Sequence, residues 1–380
     1  MKRLVLALLA ALACAPAASA LEVTFYPGAR IYAYEADAQR GARTLVIHNI
    51  AIRNDTAALV TLSAVTIELM AGDRALDVRT LGAPELTRAA GNGVGLQTGG
   101  LWDILAFQFG GARLVPAGTT FSDDLVLAPG EALMINAQIF AYRGSRDGLR
   151  VRVNGDAATA RLPVLETMSK TVYQFPLRGQ WYNGAGATLH SHHRWSPMEE
   201  FAFDLVRLGP GFKTHRGAGR RFSDYFAYGQ PVFAAADGVV SSVIADQAED
   251  TGAMQQAGET TEAYYARLGK DQQRRLEQGR AGITGNSVVI DHGNGEFSFY
   301  AHLKPGSVAV RAGQRVTRGH QVGALGSSGN STEPHLHFQV CNGPDPLLCA
   351  GIPVTFEPSK DVLGDPPHAA QTGDFLSRPE

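Results

Sequence analysis

Cysteine is scarce in this chain, charge is low and balanced, and long apolar runs are missing after the first twenty residues. Three cysteines in 380 residues, two of them the pair Cys341 and Cys349, leave no thiolate cluster from which to build a cysteine metal site. A formal net charge of −2 offers no basic stripe, so no nucleic-acid partner is expected. Beyond residue 20 no apolar run approaches the ~20 residues that cross a bilayer. Low charge does not mean disorder here, because 44% of residues are apolar, which is ordinary globular usage, and the length suffices for two domains with real cores.

What is present begins at the N-terminus. Residues 1–20, M-K-R-L-V-L-A-L-L-A-A-L-A-C-A-P-A-A-S-A, carry a basic start, an apolar block and the small-residue close Ala18-Ser19-Ala20. This pattern predicts a signal peptide cleaved before Leu21, hence export to the periplasm or cell envelope, or secretion, with no membrane attachment afterwards. A lipid anchor on Cys14 is disfavoured because Leu is not three residues before it. In an oxidising compartment the turn-rich N-G-P-D-P-L-L between Cys341 and Cys349 favours a disulfide.

From residue 21 to 165, short β-branched runs such as R-T-L-V-I-H-N-I-A-I-R alternate with turn signals, which predicts a β-sandwich of immunoglobulin-like type. Residues 84–118, rich in glycine, read as a long insertion or small helix beside it, and His48 reads as a strand-surface histidine. A second β-rich domain is expected over 166–357. It is interrupted at about 248–282, where T-T-E-A-Y-Y-A-R-L-G-K-D-Q-Q-R-R-L-E-Q-G-R has helical character ending near Gly279. Residues 358–380 read as a flexible tail.

The chemistry lies in the second domain. In P-H-L-H-F-Q-V, 334–340, strand alternation puts His335, His337 and Gln339 on one face and Leu336, Phe338 and Val340 on the other. In E-F-A-F-D-L-V the same test isolates Asp204 from Phe201, Phe203 and Leu205. A carboxylate there is costly unless paired or bound to a cation. In F-S-F-Y-A-H-L it puts His302 with Ser298 and Tyr300, opposite Phe297, Phe299, Ala301 and Leu303. Upstream, L-H-S-H-H-R-W-S-P supplies His190, His192 and His193 in a loop. A catalytic zinc takes three protein ligands and keeps one position open. One loop histidine, Asp204 and one imidazole of the 335/337 pair make such a set, and the remaining imidazoles are free to move protons. His215, His292 and His320 stand in turn-rich contexts and read as solvated or structural. The run G-S-S-G-N, 326–330, lacks the Lys-Ser/Thr of a phosphate loop and leads into a strand, so it reads as a connection.

Taken together, His193…Asp204, Y-A-H-L (300–303), H-L-H (335–337), G-Q-P-V-F-A-A-A-D-G-V-V (229–240), G-N-S-V-V-I-D-H-G-N-G (285–295) and the whole stretch 310–338 resemble the lysostaphin/LytM-type zinc metallopeptidases. The resemblance covers roughly 176–355 without the helical insertion. It implies zinc held by His193, Asp204 and His337, with His192 the alternative to His193, and catalytic imidazoles at His302 and His335. The spacing from the first motif to Asp204 is longer than in the tight H-x-x-x-D version, which is why two histidines compete.

The implied fold is mainly β, an immunoglobulin-like sandwich followed by a lysostaphin-type domain with a helical insertion. The implied activity is zinc-dependent hydrolysis of peptide bonds in peptidoglycan stems or cross-links. Two alternatives have different consequences: a non-catalytic LytM-like activator of a cell-wall amidase, or a wall-binding protein. The intact set His193, Asp204, His302, His335 and His337 argues against the first. A regulatory protein partner is left open, with no identity implied.

Overall fold

The computed structural model describes residues 21–37, 39–357 and 370–378, and the backbone of 360–361. The expected leader at 1–20 lies outside the described residues. The fold is mainly β. Among the described residues no helix is long and apolar enough to cross a membrane.

Two antiparallel-rich sheets form the first half. In one, the 13-residue strand Ala42–Asn54 pairs with Leu21–Tyr26, Tyr34–Asp37 and Ala132–Arg143. The other runs Ile31–Tyr32, Ala158–Leu165, Gly148–Val153, Val65–Ala71, Arg74–Leu81. The two share one core, in which Leu45, Ile47, Ile50 and Ile52 meet Ile67, Leu69, Leu149 and Val151. Burying each such side chain contributes about 1.5–3 kcal/mol, which offsets the cost of ordering these long strands. The glycine-rich stretch after them is more regular than its composition suggests, with a 16-residue helix at Ala83–Thr98. Pro84 sits in its first turn, and the Glu85 carboxylate accepts from the Gly82 N–H.

A nine-stranded sheet organises the second half, in the order Arg315–Val316, Gly238–Ile244, Asn286–Asp291, Phe297–Leu303, Leu336–Cys341, Phe203–Val206, Gly179–Ala185, Phe375–Arg378, Lys360–Asp361. The strands holding His302, His337 and Asp204 are neighbours at its centre. Leu336, Phe338 and Val340 are almost fully buried on the back of it, with Phe203, Tyr300 and Phe356 around them. The residues expected as a flexible tail contribute instead: Phe375–Arg378 pairs with Gly179–Ala185, and Leu376 lies opposite Trp181 in the core. Four residues are too few to show a strand period, so only the pairing reveals them.

The helical insertion leaves the sheet after Ile244 and returns at Asn286. Its long helix, Thr261–Glu277, starts where the Thr260 hydroxyl accepts from the Ala263 N–H, and it ends as Gly279 takes a φ of 66°.

His48 corrects its expected surface position. It is buried, and its Nε2 meets the Glu200 carboxylate at 3.0 Å across the contact between the two halves. It sits where the alternation of Ala42–Asn54 changes phase between Ile47 and Ile50, so it faces away from the core they share. Beside it Arg194, fully buried, pairs with Glu200 at 2.8 Å and donates to the Thr44 carbonyl at 3.0 Å.

Candidate metal and catalytic site

The ladder sets the first two groups. In the pairing of Phe203–Val206 with Leu336–Cys341, Asp204 lies directly opposite His337. Residues opposite each other in an antiparallel pair share a face, so the carboxylate and imidazole meet: His337 Nδ1 is 3.0 Å from Asp204 Oδ1. His335, one strand period earlier, brings Nε2 to 3.5 Å from the same oxygen.

His302 reaches this face by breaking alternation. Tyr300 and Ser298, its expected companions, pack or bond on the core side, where Tyr300 meets Phe338 and its hydroxyl accepts from the Ala235 N–H at 2.7 Å. Opposite His337 stands Ala301. Between Tyr300 and Leu303 the pairing with Asn286–Asp291 slips, the two residues Ala301 and His302 standing against the one residue Ser287, and His302 has a φ of 61°. This bulge turns His302 onto the face that Ala301 and Phe299 occupy. Its ring centroid then lies 4.7 Å from that of His335 and 6.0 Å from that of His337. The structure thus corrects the face partners expected for His302, because periodicity cannot see an extra residue. A positive φ on a histidine costs energy and marks a position held by its surroundings.

The fifth side chain comes from a loop. A short turn of 3-10 helix, His192–Trp195, begins at Ser191, whose hydroxyl accepts from the His193 N–H. His193 is buried, with Nε2 3.4 Å from Asp204 Oδ2, and its ring packs edge-on at 5.1 Å to His337. His192 is exposed. His192, His193 and Asp204 each offer a ligand atom within 4.8 Å of one another. His190 is exposed and lines the outer approach to the site.

Hydrogen bonds decide which nitrogen each imidazole presents. A carbonyl only accepts, so Nδ1–H of His302 donates to the Ser328 carbonyl at 2.8 Å, and Nδ1–H of His335 donates to that of Glu333 at 2.8 Å. Both rings keep Nε2 for the cleft. His337 is the reverse, with Nε2 bonded to Gln339 Oε1 at 2.8 Å and Nδ1 toward Asp204.

Electrostatics follow. Burial alone would raise the Asp204 carboxyl, but His193, His335 and His337 around it hold it well below the usual range. Burial pushes His193 down, and burial with the neighbouring His335 and His337 pushes His302 well below its ordinary value. For His335 and His337 burial is outweighed by the Asp204 carboxylate, which lifts His335 and brings His337 to about 9. Among the described residues the ion-pair partners of Asp204 are these three imidazoles, with no lysine or arginine. The donor set, together with the buried and unpartnered Nδ1 of His193, fits zinc, which prefers imidazole and carboxylate ligands.

A cavity of about 610 Å³ opens onto these groups. The first half of the chain supplies Phe107 and Gln108 to its wall, and the helical insertion supplies Leu268, Arg275 and Leu276. None of these wall residues is marked by a motif; only the fold brings them to the cleft. The backbone acceptors at Ser328 and Glu333 are equally invisible in sequence.

Residues 276–347 match Peptidase family M23, a segment that includes His302, His335 and His337 and leaves His193 and Asp204 outside it. The chain thus carries a Peptidase family M23 domain. It is 30% identical over 193 residues to peptidoglycan DD-endopeptidase ShyA of Vibrio cholerae, covering 48% of this chain and 36% of ShyA. To DD-carboxypeptidase/endopeptidase Mpg of Neisseria meningitidis it is 45% identical over 62 residues, 16% of this chain and 14% of Mpg. The chain thus spans about a third or less of the length of these curated relatives. Among solved structures, the catalytic domain of lysostaphin from Staphylococcus simulans aligns over 46% of this chain and 88% of its own, at 18% identity and a TM-score of 0.24.

Proposed function

We propose that this protein is an exported, zinc-dependent endopeptidase that hydrolyses peptide bonds in peptidoglycan stems or cross-links, working in the periplasm or cell envelope. The observation that carries the reading is the convergence of His193, Asp204 and His337 beside two further imidazoles whose Nδ1 protons are tied to backbone carbonyls. The names of ShyA and Mpg supply the substrate class.

His193, Asp204 and His337 would hold the zinc, with His192 the alternative to His193. When bound, zinc supplies a Lewis acid and lowers the pKa of water toward ~7. The chain's own work is proton handling and orientation. Nε2 of His302 and of His335, left as acceptors by their backbone bonds, flank the cleft. They take the proton from the attacking water as its oxygen bonds to the scissile carbonyl carbon. They return a proton to the leaving nitrogen as the carbon–nitrogen bond breaks. The cavity walls exclude water around the substrate and strengthen each of these interactions.

The test is zinc content together with cleavage of defined muropeptides. His302→Ala and His335→Ala should each lower kcat by about 10²–10⁴-fold while keeping zinc. Full cleavage by both single variants would eliminate the proton-transfer roles. A zinc-loaded wild type that cleaves no muropeptide but stimulates a cell-wall amidase would replace the enzyme reading with the activator one.

A further inference from the structure

We infer that Gln339 is a positioning residue for His337 and that the Cys341–Cys349 loop holds it to that task. The inference rests on the zinc reading above and adds a side chain and a covalent loop to it.

Pro346 has no N–H, and its carbonyl oxygen can only accept. Gln339 Nε2 donates to it at 3.3 Å and lies 3.4 Å from Cys341 Sγ. The amide nitrogen of Gln339 is thereby assigned, so Oε1 must be the atom that faces His337 at 2.8 Å. A carboxamide oxygen also only accepts, which puts a proton on Nε2 of His337. The lone pair of the neutral ring is then on Nδ1, the nitrogen 3.0 Å from Asp204. Gln339 is buried, so no solvent competes for either end of its amide.

His337 differs here from the two proton-transfer histidines. His302 and His335 are oriented by backbone carbonyls, which cannot turn over. The partner of His337 is a side-chain amide, which can rotate and present its NH₂ instead. That rotation would favour the wrong tautomer and turn an N–H toward Asp204. Pro346 prevents it, and Pro346 stands inside the loop closed by the disulfide, with Cα atoms of Cys341 and Cys349 5.8 Å apart. The same loop presents Pro346 and Leu347 to the cavity. The disulfide therefore acts at a distance of two hydrogen bonds from the zinc ligand.

Zinc affinity of the full protein, measured by competition with a chromophoric chelator, tests each link. Gln339→Leu should weaken zinc binding about 10- to 100-fold, the usual loss when the outer partner of a ligating histidine is removed. Gln339→Glu, which keeps an acceptor for His337, should recover most of that loss, which a purely packing role would not allow. Cys341→Ser with Cys349→Ser should weaken zinc less than Gln339→Leu does, and all three changes together should be no worse than Gln339→Leu alone. Affinity of Gln339→Leu within twofold of wild type overturns the positioning role. Additive losses in the triple variant overturn the part given to the loop. A wild type that binds no zinc removes the underlying site reading instead, so the failures are distinguishable.

Discussion

The site has a half built on strands and a half built on a loop, and the two are fixed in different ways. Asp204 and His337 face each other in one ladder rung, and His302 is aimed by a bulge in the next strand. Their positions are set by backbone pairing at the middle of a nine-stranded sheet. His192 and His193 stand on one turn of 3-10 helix with little backbone pairing of its own. That turn is tied to the first half of the chain: Arg194 donates to the Thr44 carbonyl, and Glu200 is ion-paired with Arg194 and bonded to His48. The difference teaches that the nine-stranded sheet alone does not complete the site. The strand Ala42–Asn54 touches the loop half through Thr44 and His48.

Breaking the strand half should have the largest effect. His337→Ala should abolish zinc binding and lower kcat/KM on muropeptides by more than about 10³-fold, while the metal-free protein keeps its fold. Metal analysis, cleavage assay and circular dichroism check it together; cleavage at the wild-type rate would sink the assignment. The loop half is sharpened next by single substitutions. His193→Ala should strip zinc, because its ring is buried against Asp204 and His337. His192→Ala, at an exposed position, should cost less than about tenfold in activity. Zinc lost from His192→Ala and kept by His193→Ala would reverse the two.

This contrast also explains what the sequence could and could not reveal. Asp204, His335 and His337 are legible because strands have a fixed period, and a polar residue at an apolar period stands out. His302 was legible as a residue but not as a geometry, since the bulge that aims it shows only in the pairing of Tyr300 and Leu303. The choice between His192 and His193 was not legible, because neighbouring residues in a turn have no periodic face to compare. Glu200, the partner of His48, lies 152 positions away, and no local pattern announces such a contact. The strand at Phe375–Arg378 escaped for the opposite reason, being too short to have a period.

The contact between halves is itself a target. Arg194 and Glu200 are buried, and removing one member of a buried pair leaves the other charge uncompensated. Glu200→Ala should destabilise the protein by about 3–5 kcal/mol in denaturant unfolding. If the loop half depends on that contact, zinc affinity should fall with it. Lost stability with unchanged zinc affinity would mean that the turn at His192–Trp195 holds itself.

The smallest effect expected belongs to a histidine that is held by a loop yet takes no part in the site. His292, in the turn before the strand Phe297–Leu303, is bonded through Nδ1 to the Asp237 carbonyl at 2.7 Å and through Nε2 to Ser298 Oγ at 2.9 Å. Burial pushes its pKa below the ordinary value, against the opposing pull of the Asp237 carbonyl. The fold thus favours the neutral ring. The stability this contributes is fully present above the unfolded value of about 6.5 and is lost as pH falls through the lower, folded value. Unfolding free energies of wild type and His292→Gln, compared between pH 8 and pH 5, should therefore converge toward the acid end. A difference that stays constant or widens on acidification would show that His292 is not held neutral, and that its turn does not constrain it as the turn at His192–Trp195 constrains His193.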